Sequence, residues 1–524
     1  MKITRREALG AFAGALPTIH PPRASAQQSP EPTGLAIEKG PFQGTRDSLK
    51  TYRIPEWFRD AKFGIWAHWG PQSAAEDGDW YARNMYIEGS PQYKYHLEHY
   101  GHPSKVGFKD VIATFSGAKW DPEHLMDLYK QAGAKYFVSM GVHHDNFDMW
   151  NSKYQPRWNA AVSGPKKDIV GIWKQAARKR GLRFGVSEHL SNSFDWFAPS
   201  HLSDKSGPNA GVPYDGSDPS DTDLYHDYTG MPANFAATAK AMGRDAPESW
   251  KKQYFSRIKD LIDQHQPDIL YTDGAIPFQE YGVSLVAHLY NVSAASHGGK
   301  VQAVYQSKGK EDCVQGTCAL DLERGIVDKI WPDPWQTDTC IGQWHYKKGI
   351  TYKTPKTVID MLVDIVSRNG NLLLNFPLPG SGELDPQELQ VLSGITQWMA
   401  VNGDAIFGTR PWKVYGTGPG TQAAPARDRL AFNERARKDL TAQDVRFTRR
   451  DNTLYAFLMG WPEKETSIAA LGLKSEFDPG KIGNVELLGH KGSMKWKQDG
   501  SSLTVRMPAE KPVDYAVALK IAFA

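Results

Sequence analysis

No stretch of this chain after its first residues is long and apolar enough to cross a bilayer. That leaves a membrane without a role as partner. Neither sign of charge dominates: 62 Lys and Arg stand against 59 Asp and Glu, with no basic stripe. Nucleic acid is therefore not an expected partner. Cysteine is scarce, at three residues, Cys313, Cys318 and Cys340. With no CxxC pair and no nearby histidine at ligand spacing, a structural zinc site is not expected. No GxGxxG follows the first strand, which removes support for dinucleotide binding, and no GxSxG or credible Cys–His pair points to a serine or cysteine nucleophile. Aromatics, by contrast, are plentiful, with 17 Trp and 22 Tyr, a composition that suits both cores and surfaces that stack on ligands.

The first residues, MKITRREALGAFAGALP, read as an export signal. Arg5 and Arg6 precede a short, weakly apolar run, and Ala24-Ser25-Ala26 forms a small-residue cleavage site before Gln27. Twin arginines indicate the Tat route and a periplasmic or secreted product. In such an oxidising compartment Cys313 and Cys318, which enclose a short loop, could pair.

Beyond the signal peptide at 1–26 and an extended lead-in at 27–50, a repeating unit occupies 51–403. An amphipathic helix is followed by a turn and then a run of β-formers. DPEHLMDLYKQAG precedes AKYFVSMGVHH, VGIWKQAARKRG precedes LRFGVSEHL, and SWKKQYFSRIKDLIDQHQP precedes DILYTDG. VQAVYQS, NLLLNFPL and FGIWAHWG complete six credible strands. Alternating helices and buried strands imply a parallel sheet with helices outside it. With one or two more strands in the unassigned stretches, a (β/α)8 TIM-like barrel is expected, an open doubly wound sheet being the alternative. From 404 to 524 short alternating runs, such as DNTLYAFLM and YAVALKIAFA, predict a C-terminal β-sandwich domain.

Barrel chemistry sits at the C-terminal ends of the strands. Here those ends carry His68 and Trp69, His143 and His144, Glu188 and His189, Asp273, and Gln306. Each alone has an ordinary role as a loop cap, but several strand ends loaded alike predict a pocket. Adjacent residues on a strand point to opposite faces, so His143 and His144 are not expected to share a metal ion. No metal and no cofactor are expected. Imidazoles and carboxylates beside tryptophans suit a sugar, whose hydroxyls take hydrogen bonds and whose C–H faces stack on rings. Glycoside hydrolysis generally needs two carboxyls. Asp273, at the end of an apolar strand and next to a glycine, is the first candidate, with capping of the next helix as its ordinary alternative. Glu323 is the second, and a surface pair with Arg324 is its alternative. Asp321, Asp333 and Asp338 lie close by in what reads as a long loop.

FGIWAHWG, DWYARNMY, GVHHDNF, YTDG and WQTDTCIGQWHY, in that order, resemble the α-L-fucosidases of glycoside hydrolase family 29, over roughly 56–379. The resemblance implies a retaining double displacement without metal on a fucosylated oligosaccharide or glycoconjugate. It implies Asp273 as nucleophile, and His68, His143, His144 and Trp80 as sugar-binding residues. Glu323 is taken as the acid/base, and Trp69, Asp79, Glu188, His189 and Trp335 join the substrate-binding set. Three departures from the family pattern stand out: Asp79 where a Glu is common, Glu188-His189 where a Tyr is common, and Tyr305-Gln306-Ser307-Lys308 where an Asn-Asp-Arg segment is frequent. They leave open another α-L-hexose, such as an L-glucoside or L-galactoside. A non-catalytic glycan-binding protein is a further alternative. The segment 191–245, rich in Asp, Gly, Pro and Ser, reads either as a wall on the leaving-group side or as a mobile insertion. The sequence leaves the oligomeric state open.

Overall fold

The computed structural model describes residues 35–524 apart from 242, 244, 245, 315, 422–430, 435, 436 and 438. The export segment and the start of the lead-in lie outside the described residues. Eight parallel strands form one sheet: β1 (Phe63–Ala67), β2 (Tyr136–Val142), β3 (Arg183–Glu188), β4 (Ile269–Thr272), β5 (Val304–Ser307), β6 (Ala319–Leu320), β7 (Trp335–Cys340) and β8 (Gly370–Asn375). Their order, β6-β5-β4-β3-β2-β1-β8-β7, follows the chain around a ring. A parallel bridge from Asp321 to Gln336, with Leu322 N–H donating to the Gln336 carbonyl at 2.9 Å, closes it. The sheet is thus a barrel, and the open-sheet alternative fails at this seam.

The flanking helices begin where the sequence places start signals. Asp121 caps Pro122–Gln131 through the His124 amide, and Asp168 caps Ile169–Lys179 through the Gly171 amide. Asp385 and Glu388 form a reciprocal capping box on Pro386–Asn402. The two strands missing from the sequence reading are β6 and β7. β6 spans two residues, and β7 carries Gln336 and Asp338 on its inward face, so neither shows an apolar signature. The supposed loop that holds Asp338 is therefore partly a buried strand.

Inward residues fill the barrel: Trp66, Tyr136, Val138, Ile269, Tyr271, Val304, Ala319 and Leu373 belong to one cluster. Tyr136 crosses the lumen and donates to Gln336 Oε1 at 2.8 Å. Gly64 makes room for it, since a Cβ there would lie 2.2 Å from the Tyr136 ring. C-terminal to the barrel, a five-stranded sheet of order β13-β16-β11-β10-β9 faces a three-stranded sheet of order β12-β15-β14. These strands are β9 (Arg410–Thr417), β10 (Val445–Arg450), β11 (Thr453–Leu458), β12 (Glu465–Ile468), β13 (Ile482–Leu487), β14 (Lys495–Gln498), β15 (Leu503–Arg506) and β16 (Val517–Phe523). They enclose a second apolar cluster around Phe447, Leu454, Val505 and Leu519. The two units touch through Asp364, which binds Arg446 Nε at 2.5 Å, and through Trp398 Nε1, which donates to the Ala516 carbonyl at 2.7 Å.

Candidate active site

Side chains alternate across a strand, and this decides which expected residues reach the barrel mouth. On β1, Trp66 faces inward and His68 follows it, while Trp69 faces out. The Trp69 indole donates to the Pro379 carbonyl at 2.8 Å and packs 4.9 Å from Phe115, so it is a core residue rather than a sugar ligand. At the end of β3 Glu188 faces outward, and His189, the next residue, faces inward. Glu188 is buried behind the wall, where it accepts from Thr272 Oγ1 at 2.6 Å, Tyr254 OH at 3.0 Å and the Leu190 amide at 3.1 Å. It does not enter the pocket. Burial pushes its carboxyl up to about 7 against those three hydrogen bonds. Trp335 opens β7, at the end of the barrel opposite the mouth, with its indole donating to the Arg368 carbonyl at 3.0 Å. It too is structural.

Five histidines form the pocket floor: His68, His143, His144, His189 and His345, all buried. The His68 ring lies 5.0 Å from His143, 5.0 Å from His189 and 4.6 Å from His345. His143 and His144 are 4.4 Å apart, centroid to centroid, and share the pocket. The alternation argument that separated them does not hold, because both lie beyond the end of β2, after a register shift between Met140 and Val142. Two triads, His68–His143–His345 and His143–His144–His189, hold ligand atoms within 4.8 Å of one another. Burial, reinforced by neighbouring imidazoles, keeps His68 and His143 well below the usual imidazole range, and burial holds His189 down at about 4 despite the nearby Asp273. Neutral imidazoles can each donate and accept, as sugar hydroxyls require. Asn146, in the same motif, and Asp148, just past it, turn away from the pocket. Asp148 binds buried Arg257 Nη2 at 2.5 Å, and Asn146 donates to the Leu224 carbonyl at 2.8 Å. The run after β2 thus splits into pocket ligands and a clamp on the 191–245 insertion.

Asp273 follows inward-facing Tyr271 on β4. Its Oδ2 lies 3.1 Å from His189 Nδ1 and 3.5 Å from His144 Nε2, and its Oδ1 accepts from Lys308 Nζ at 2.6 Å. Burial alone would raise this carboxyl, but the Lys308 charge and the two imidazoles outweigh it and hold it well below the usual carboxylate range. The same Lys308 ammonium binds Glu323, and Asp338 lies 4.0 Å away. Glu323 pairs with Lys308 rather than Arg324, whose guanidinium sits 5.0 Å over the Trp344 ring. Burial, with the negative charges of Asp338 and Asp273, raises the Glu323 carboxyl above its ordinary value although Lys308 opposes the shift. One carboxyl is thus held ionised and the other is biased toward its acid form. Beneath them lie Tyr271, which donates to Asp338 Oδ2 at 2.9 Å, and Asp321, which accepts from Gln336 Nε2 at 2.7 Å.

At the mouth, Trp80 is 40% exposed and holds a left-handed φ of 61°, an unfavourable backbone for a bulky residue. Its ring lies 6.2 Å from His144 and 6.0 Å from Trp196. Asp79 accepts from the amides of Trp344 at 3.0 Å and His345 at 2.6 Å, so the short carboxylate anchors the turn that delivers His345. The insertion after β3 is a packed wall: Trp196 is buried 5.7 Å from His144, and Asp215 accepts from Tyr86 and Tyr225 hydroxyls at 2.6 Å each. A cavity of about 630 Å³ opens beside Asp273, lined by Ser191, Asn192, Gly243, Phe278 and Gln279 among others.

The Alpha-L-fucosidase family profile matches residues 32–404, and the Alpha-L-fucosidase C-terminal domain profile matches residues 437–522. The chain belongs to the α-L-fucosidase family, glycoside hydrolase family 29. The tissue alpha-L-fucosidase of Mus musculus is 27% identical over 508 residues, covering 93% of this chain and 96% of that protein. The Homo sapiens tissue enzyme is also 27% identical, over 90% of each chain. In fold, the chain matches a crystal structure of the Thermotoga maritima alpha-fucosidase with a TM-score of 0.68 at 23% identity, covering 92% of this chain and 100% of that one.

Within this family member, four pocket residues escaped the sequence reading as ligands. Lys308 was noted only as a departure, yet counting inward positions from Val304 through Gln306 leads to it. His345 and Trp344 sit inside the quoted WQTDTCIGQWHY motif. Trp196 had no signal, because the irregular insertion around it shows no period.

Proposed function

We propose that this chain is a retaining exo-acting α-L-fucosidase that releases terminal α-L-fucose from fucosylated oligosaccharides or glycoconjugates. Asp273 attacks the anomeric carbon while Glu323 protonates the departing glycosidic oxygen. Water, deprotonated by Glu323, then hydrolyses the glycosyl-enzyme. The observation that carries this reading is the shared cation. Two carboxyl oxygens bound to one ammonium at ordinary lengths lie no more than about 5.5 Å apart, the spacing of a retaining pair. Names of the relatives, tissue alpha-L-fucosidases, support the sugar. His68, His143, His144 and His345 supply hydroxyl contacts, and Trp80 stacks on the ring.

The Nε2 atoms of His189 and His345 have no hydrogen-bond partner among the described residues. That surplus of polar groups favours, as a second reading, a sugar with a hydroxymethyl in place of fucose's methyl, such as an α-L-galactoside. The twin-arginine segment and the Cys313–Cys318 disulfide support export to the periplasm or beyond.

The decisive experiment is Asp273→Gly assayed on 4-nitrophenyl α-L-glycosides, with products followed by NMR. A loss of about 10³-fold or more is expected, with azide restoring turnover and yielding the β-L-glycosyl azide. Near-normal turnover without azide would reject the nucleophile assignment. The relative rates on fucoside and galactoside decide between the two sugars.

A further inference from the structure

The connection between β9 and β10 belongs by position to the C-terminal unit, yet part of it lies on the barrel rim. Phe432 N–H donates to the Glu323 carbonyl at 2.8 Å, and Glu434 N–H donates to the Arg324 carbonyl at 2.9 Å. Between them, the Asn433 side chain accepts from the Ile326 amide and donates to the Ile326 carbonyl, both at 3.0 Å. The Glu434 carboxylate binds Lys353 at 2.7 Å and accepts from Thr339 Oγ1 at 2.5 Å. The loop that carries Glu323 is therefore tied by backbone and side-chain hydrogen bonds to a segment from beyond the barrel.

Phe432 is 62% exposed, the highest value for a large hydrophobic residue among the described residues, and its φ is 55°. Arg324, the residue after its hydrogen-bonded partner Glu323, also has a left-handed φ, 45°. A left-handed backbone is a true outlier for a bulky side chain and costs on the order of 1 kcal/mol or more. Glycine would take this conformation freely, and a phenyl ring serving the core would be buried. An exposed ring held in an unfavourable conformation calls for a contact made outside the chain. Its position names that contact: the acid must stand beside the departing oxygen, so whatever flanks the Glu323 loop at the rim flanks the leaving group.

We infer that Phe432 is a leaving-group subsite: its face stacks on the C–H face of the sugar ring to which the terminal α-L-fucose is attached. The C-terminal unit thereby contributes a specificity residue to the barrel's pocket. The inference rests on the assignment of Glu323 as acid in an α-L-fucosidase. It extends that assignment by naming the chemical class bound on the leaving side, a pyranose, and the residue that binds it.

The test compares an α-L-fucosyl disaccharide with α-L-fucosyl fluoride, which has no leaving-group ring, on wild type, Phe432→Ala and Phe432→Trp. In Phe432→Ala the ratio of kcat/KM on disaccharide to that on fluoride is expected to fall by about threefold to tenfold, carried mainly by KM. Phe432→Trp is expected to keep the wild-type ratio, because indole also offers a stacking face. An unchanged ratio in Phe432→Ala, whether both substrates slow together or neither does, would overturn the subsite. A wild-type protein inert on α-L-fucosyl fluoride would refute the underlying fucosidase assignment first, and the subsite with it.

Discussion

Lys308 Nζ lies 2.6 Å from Asp273 Oδ1, and the same ammonium binds Glu323. One cation thus pulls both carboxyls toward the ionised form, prevailing over burial at Asp273 but not at Glu323. Burial would lower the lysine, but Asp273, Asp338 and Glu323 outweigh it and keep it charged. At this position the chain uses a flexible ammonium, which suits a site where one charge must face several carboxylates around it.

Removing that charge has a defined sign. Asp273 is held low partly by Lys308, so Lys308→Met should raise it and delay its ionisation to higher pH. Glu323 is raised by burial while Lys308 pulls it down, so the same change should raise it further. Both limbs of the kcat/KM profile are therefore expected to move upward, with the maximum reduced roughly tenfold or more. Lys308→Arg should restore most of the profile. Unmoved limbs in Lys308→Met would show that other groups set them.

For Glu323→Ala, the loss should depend on the leaving group. An aryl fucoside with an acidic phenol needs little protonation, whereas a disaccharide needs it fully. The expected outcome is a loss on the disaccharide exceeding that on the aryl substrate by about tenfold or more. Equal losses would move the acid role elsewhere.

How legible was this site? The barrel, the sandwich, and the histidine and Asp273 positions follow from strand patterns and motifs that end in polar residues. The errors came from treating a strand's last residues as one group. Trp69 and Glu188 each sit one position from a true pocket residue, His68 and His189, and face the opposite way. Simple alternation through Trp66-His68 and Ser187-His189 separates them. Beyond β2 the same rule fails, because a register shift ends the pleat before His143. β6 escaped because it spans only two residues, and β7 because its polar inward groups Gln336 and Asp338 hide a buried strand. The pairing of Glu323 with Phe432 joins segments more than a hundred positions apart and left no local trace.

Glu188 provides a stability test of its outward placement. Its folded carboxyl stands at about 7 against an ordinary 4.5. An acid raised by folding contributes stability that is complete below its unfolded value and is lost as pH rises through the folded one. Wild type should lose roughly 3 kcal/mol of stability at this residue between about pH 4.5 and 7. Glu188→Gln, which does not titrate, should show a flatter dependence of Tm on pH in that window while keeping its activity on α-L-fucosides. An unchanged Tm profile, or a variant whose main defect is a raised KM, would put Glu188 back in the pocket.

Five clustered histidines raise the question of a metal, and hydrogen bonding answers it with a prediction. His143 belongs to both candidate triads. Gln72 Nε2 lies 2.9 Å from His143 Nδ1, and an amide nitrogen can only donate, so Nδ1 is the acceptor. The neutral ring then carries its proton on Nε2 and presents an N–H to the pocket instead of the lone pair a metal needs. The arrangement suits a sugar oxygen as acceptor. Dialysis against EDTA is therefore expected to leave kcat/KM on α-L-fucosides unchanged. Gln72→Leu frees Nδ1 and removes the constraint on the tautomer. It should raise KM for the sugar and make the variant more sensitive than wild type to inhibition by added Zn²⁺. Activity lost on chelation and regained with Zn²⁺ would instead make His143 a metal ligand and displace the hydroxyl-binding role from the pocket floor.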